Sequence, residues 1–167
     1  MYWSGHLAVA YICVSVVHQI TGQPLRDRYV LAGGALGAIF PDLIDKPLAW
    51  ELGVLASGRS LMHTLFAVIP VSTAVLLMSW RYGRRDVGVA FAIAYLSHPF
   101  ADAYQTLLEE GTTSFLFWPL PPRRVWAGGV VVPFESRTVE SVVIVVAGVI
   151  ALTQLVTRYR RESVLEP

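Results

Sequence analysis

The sequence predicts an all-α integral membrane protein: a helical bundle of about five transmembrane helices with an interfacial loop between the fourth and fifth. Three observations predict it. Of 167 residues, 54% are hydrophobic and the mean hydropathy is +0.54, whereas a soluble domain of this size sits near zero or below. The apolar residues gather in five runs. Twelve of the thirteen basic residues are arginine, and they cluster between the runs, where a membrane protein places positive charge.

The first run is Leu7 to Ile20. No basic stretch precedes it and no small-residue cleavage site follows, so it reads as a retained helix rather than a signal peptide. The second run, Tyr29 to Ile44, is interrupted by Pro41 and Asp42. Its AGGALGA segment sets Gly33 and Gly37 in GxxxG spacing, which suits a close helix crossing and is also common in membrane helices generally. The third run is Ser60 to Trp80, the fourth Val87 to about Tyr104, and the fifth Thr138 to Thr157. A hydrocarbon core takes about 20 helical residues, which the third and fifth runs supply. The others are short or polar at one end, so those ends need protein or a water-filled cavity around them. The long connection from Leu107 to Arg137 carries FWPLPPRRVWAGGVVVPF, which suits an interfacial loop with a short hairpin at Val125 to Phe134. The chain is long enough for one domain over 1–167, with its core at 5–119 and a C-terminal transmembrane helix at 138–157.

With five spans, one side holds Arg26, Arg28, Arg81, Arg84, Arg85, Arg158, Arg160 and Arg161. The other holds Lys46, Arg59, Arg123, Arg124 and Arg137. The bias of eight to five predicts a multi-pass protein of the cell membrane with its C-terminus in the cytoplasm and its N-terminus outside. A net charge of +1 argues against a nucleic-acid partner, and the single Cys13 excludes a disulfide framework or a thiolate metal site. The expected partner is the lipid bilayer.

Up-and-down helices carry His6, Asp42, Asp45, Arg59, His63, His98 and Asp102 to one membrane face, the outer one. The pairs Asp42/Asp45, Arg59/His63 and His98/Asp102 are spaced i,i+3 or i,i+4, so on a helix each pair shares a side. Singly, each has a plainer reading: an interfacial histidine, a turn or cap aspartate in PDLIDKP, a hydrogen-bonded His98–Asp102 pair. Together, three His and three Asp form a ligand set for zinc, manganese or magnesium. Six candidates exceed the needs of one tetrahedral ion and allow for one or two. Carboxylates near a membrane core are costly, and that favours a functional reading. His18 lies about 18 Å along the same helix from His6, at the opposite face, and is excluded. Glu109 and Glu110 read as solvated loop charges, and Glu135 and Glu140 have no partner legible in sequence.

These residues carry a resemblance. SGHLAVA, FPDLID, GRSLMHTLF and SHPFADAYQTLLEEGTTSFLFWP follow, in order and spacing, four blocks of the small LexA-regulated, YdjM-like inner-membrane metal-dependent hydrolases, over residues 5 to about 119. Two departures stand out. The second Asp of the PD block comes one residue later, at Asp45, and Gly58 replaces the His that precedes Arg59 in the family pattern. The resemblance implies a metal-dependent hydrolase. The His and Asp set is also similar to that of zinc-dependent phospholipase C.

The expected function is therefore hydrolysis of an ester or phosphoester, such as a phospholipid, by metal-activated water. His6, Asp42, Asp45, His63, His98 and Asp102 would be metal ligands. Arg59 would bind substrate or transition-state anion, and Asp45 would serve as general base. The alternatives are a metal or proton transporter, or a scaffold that retains the fold. A transporter calls for polar or broken helices near the midplane, yet AVIPVSTAVLL and VVIVVAGVIAL hold no ionisable group.

Overall fold

The computed structural model describes residues 2–21, 27–120 and 136–165. Among them are five α-helices and no strand: α1 (Trp3–Ile20), α2 (Arg28–Lys46), α3 (Leu65–Arg81), α4 (Arg85–Glu110) and α5 (Ser136–Leu165). A π-helical turn, Pro47–Glu51, continues α2, and a short 3₁₀ turn, Ser114–Phe117, follows α4. The hairpin expected at 125–134 lies outside the described residues.

Helix α4 is the hub, packed against α2, α3 and α1, while α5 rests on α1. The α2–α4 seam works because its residues are small. A Cβ on Gly33 would lie 2.9 Å from Val87 Cγ1, and one on Gly37 would fall on the backbone carbonyl of Phe91. The GxxxG spacing thus marks a true close crossing. Ala10, Val14, Val30, Ala38, Ala90 and Ala94 fill the neighbouring core, and Val68, Phe91 and Tyr95 form a second cluster toward α3.

Three boundaries differ from those read in sequence. Pro41 does not interrupt α2, which runs through it to Lys46. A proline inside a helix removes one hydrogen bond, here the one to the Gly37 carbonyl, and tight packing against α4 carries that loss. Helix α4 runs through Pro99 and past Tyr104, where the apolar run ends, and stops at Gly111, whose left-handed φ of 69° caps it.

The third difference concerns the site. Helix α3 starts at Leu65 instead of Ser60, because the Thr64 hydroxyl caps it by accepting from the Ala67 amide at 3.2 Å. Arg59 and His63 therefore sit in a non-helical segment, and the shared helix face expected for them does not exist.

By length and composition two helices can cross a membrane, Trp3–Ile20 and Arg137–Arg160, while the apolar Leu65–Arg81 is shorter. Five full spans are more than this criterion supports, because α2 and α4 carry ionisable residues at their site ends. Glu140, without a partner in the sequence reading, joins α5 to α1 by accepting from Ser4 Oγ at 3.3 Å and the Tyr2 amide at 3.5 Å.

Candidate metal centre

Three helices and the segment ahead of α3 converge at one end of the bundle. His6 comes from α1, Asp42 and Asp45 from the last turns of α2, His98 and Asp102 from α4, and Arg59 and His63 from the 52–64 segment. The six His and Asp residues are buried, none more than 3% exposed.

Two carbonyl-type acceptors fix the histidine tautomers. His98 Nδ1 faces the Ala38 carbonyl at 2.5 Å, and His63 Nδ1 faces Asp45 Oδ2 at 2.8 Å. A carbonyl and a carboxylate can only accept, so both Nδ1 atoms donate and both neutral rings turn a lone pair outward at Nε2. Those two Nε2 atoms are 3.1 Å apart. Asp42 Oδ1 lies 3.4 Å from His63 Nε2 and 3.7 Å from His98 Nε2. Asp102 Oδ2 lies 3.7 Å from the first and 3.9 Å from the second.

Donors about 2.0–2.1 Å from a tetrahedral zinc lie roughly 3.3–3.4 Å from one another. The shorter of these spacings bracket that value, so Asp42, His63 and His98 have the chemistry and the separations to close on one divalent ion, with Asp102 just beyond them. His6 extends the set. Its Nε2 is 3.2 Å from Asp102 Oδ1, its ring stacks on His98 with centroids 3.7 Å apart, and its Nδ1 is buried with no hydrogen-bond partner among the described residues. His6, His98 and Asp102 form a second overlapping group with metal-ligand spacing.

Asp45 stands behind His63. Its carboxylate accepts from the Ser60 amide at 3.0 Å, from the Met62 amide at 2.9 Å and from His63. It lies outside both groups with metal-ligand spacing. A carboxylate that fixes the ring of a ligand histidine is a recurring feature of metal sites. Tyr95 adds a second anchor for this segment, donating from its hydroxyl to the Met62 carbonyl at 2.8 Å.

His63 binds its proton more strongly than an ordinary imidazole. Burial works against the charged ring, but hydrogen bonds to Asp42 and Asp45 and the charges of Asp45 and Asp102 outweigh it.

Arg59 donates through Nε to Asp102 Oδ2 at 2.9 Å and remains partly exposed. Lys46, absent from the site read in sequence, is 2.5 Å from Asp42 Oδ2. Its i,i+4 spacing from Asp42 was the available signal. Gly58 borders this lysine, and a Cβ there would lie 3.3 Å from the Trp50 ring and 3.4 Å from Lys46 Cγ. His18, at the far end of α1, belongs to neither His/Asp group. Glu110 ends α4 on the surface, and the Glu109 side chain and Glu135 lie outside the described residues.

Over the described residues, the fold and site define a helical protein with a buried His/Asp cluster able to hold a metal ion. The chain belongs to the YdjM inner membrane protein family, whose sequence model matches residues 1–165. No curated protein and no solved structure matches it.

Proposed function

We propose that this protein is a membrane-embedded, metal-dependent hydrolase acting on an ester or phosphoester, such as a phospholipid, at the bilayer surface. The observation that carries the proposal is the pair of His63 and His98 Nε2 atoms 3.1 Å apart, both with lone pairs directed by acceptors on Nδ1. Two such lone pairs repel unless a proton or a metal ion lies between them, and two carboxylates beside them favour the ion.

In this reading Asp42, His63, His98 and Asp102 hold the ion, with His6 completing the set. Zinc is the first choice for this donor set, with manganese or magnesium as alternatives. A bound divalent ion supplies a water acidified to near neutral pH and a Lewis-acid site for the substrate oxygen. Arg59 orients Asp102 through Nε and offers its charge to a substrate anion. Asp45 was expected as ligand and general base; its buried oxygens are committed to Ser60, Met62 and His63, and we assign it the positioning of His63 instead.

A bilayer setting accounts for α5. Its apolar window has a mean hydropathy of 2.3 and is only 6% buried, so Val145, Val149, Leu152 and Leu155 would face lipid. The membership of an inner membrane family supports the same setting. Counted over five spans, the excess of basic residues supports a site on the extracytoplasmic side and a cytoplasmic C-terminus.

The test is metal analysis of the purified protein followed by a panel of chromogenic phosphoesters and labelled phospholipids, with and without chelator. At least one divalent ion per chain and chelator-sensitive turnover are expected. Protein free of metal, or turnover indifferent to chelator, overturns the reading.

A further inference from the structure

Lys46 has a place at the centre that neutralising Asp42 does not exhaust. Asp42 divides its carboxylate: Oδ1 faces the Nε2 atoms of His63 and His98, and Oδ2 takes the Lys46 ammonium. The ammonium also lies 5.9 Å from the Trp3 ring centre and 5.8 Å from that of Trp50. Lys46, Trp3, Trp50, Gly58 and Arg59 line one open cleft of about 900 Å³. The side chains of Lys46 and Arg59 keep 24% and 30% of their surface accessible. An ammonium has three donors, so a single bond to Asp42 leaves others for the cleft. A Cβ at Gly58 would meet Lys46 Cγ at an ordinary 3.4 Å, so a side chain there would lie beside the lysine without displacing it.

The charge balance points to the occupant. A divalent ion is neutralised by Asp42 and Asp102. Lys46 and Arg59 then bring two positive charges, of which Asp45 offsets one. The charged residues that line the cleft, Lys46 and Arg59, are both cationic, so the cleft suits an anion, and a neutral carboxylic ester gains nothing from it.

We propose that Lys46 is a substrate-binding residue: its ammonium, held on Asp42 at the wall of the cleft, binds an anionic oxygen of a phosphoryl group and selects phosphoesters over neutral carboxylic esters. The proposal rests on the metal reading above.

The test uses the full chain in detergent, loaded with zinc, titrated calorimetrically with inorganic phosphate and, as a neutral carbonyl control, acetamide. Wild type is expected to bind phosphate about tenfold or more tightly than acetamide, as a charge-assisted contact provides. Lys46→Gln should weaken phosphate binding by about tenfold while zinc content and acetamide binding stay unchanged, and Lys46→Arg should restore most of it. Gly58→Asp leaves Lys46 in place but sets a carboxylate beside it, and should weaken phosphate in the same way. Equal phosphate binding by wild type, Lys46→Gln and Gly58→Asp, all with zinc bound, overturns the proposal alone. Loss of zinc from Lys46→Gln also overturns it, because Lys46 is then only a support for Asp42. A wild type that takes up no zinc overturns the metal reading and this proposal together.

Discussion

Nε2 of His63 and Nε2 of His98 are 3.1 Å apart, although the residues come from different segments of the chain and each ring is pinned from behind by its own acceptor. Removing either ring takes away one of two facing lone pairs. His63→Ala and His98→Ala should each lower the metal content from about one ion per chain to near zero. Elemental analysis of the purified variants checks this, and unchanged stoichiometry in both would sink the site.

A ligand that binds only the native state stabilises it. Chelator should therefore lower the thermal midpoint of wild type and leave the His98→Ala midpoint almost unmoved. Equal midpoints for wild type with and without chelator would argue against a resident ion.

Asp45 is expected to act through His63. Asp45→Asn loses the charge that fixes the ring, and metal affinity should fall about 10- to 100-fold while the ion itself can still be loaded at high concentration. Competition titration against a chelator of known affinity measures it. Asp45→Ala should cost more in stability, about 1–3 kcal/mol, because the buried Ser60 and Met62 amides lose their acceptor.

The raised proton affinity of His63 sets a pH dependence. Proton and metal compete for Nε2, so metal uptake at a fixed metal concentration should rise with pH. Asp45→Asn removes one cause of the raised affinity and should shift the profile to lower pH. In metal-free protein the sign is opposite. A group whose folded pKa lies above its unfolded value stabilises the fold below the unfolded pKa, and that contribution is lost as pH rises through the folded pKa. Metal content and thermal midpoint measured across pH 5 to 9 test both signs.

Gly37 sets the approach of α2 to α4. Gly37→Ala places a Cβ on the Phe91 carbonyl and should destabilise by about 1–3 kcal/mol. Metal affinity should fall with it, since Ala38, next in sequence, holds His98. Gly34→Ala is the control: its Cβ would meet Val14 at an ordinary 3.7 Å, and its stability should match wild type. Matching thermal midpoints for both variants would show that the seam tolerates the extra methyl.

Much of the site was legible because it depends on composition and order. Long apolar runs mark α1, α2, α4 and α5, and alternating helices carry ionisable end residues to one end of the bundle whatever the packing details. The start of α3 was not legible. The apolar run reaches back toward Ser60, but Asp45 draws the Ser60 and Met62 amides and Thr64 caps at Leu65, so a partner fifteen residues away in α2 outweighs local propensity. Lys46 was misread for a related reason: counting it as a loop charge ignored that α2 continues through Pro41 and brings it one turn from Asp42.

By itself, the sequence determined the helical class, the end of the bundle where the site lies and the residue types that build it. Only the tertiary structure decided which carboxylate faces the histidines, which one stands behind His63, and which cation reaches Asp42. Those choices turn on contacts of a few ångströms between segments distant in the chain, set by the Gly37–Phe91 crossing and the fold of residues 52–64, and local periodicity carries no information about them.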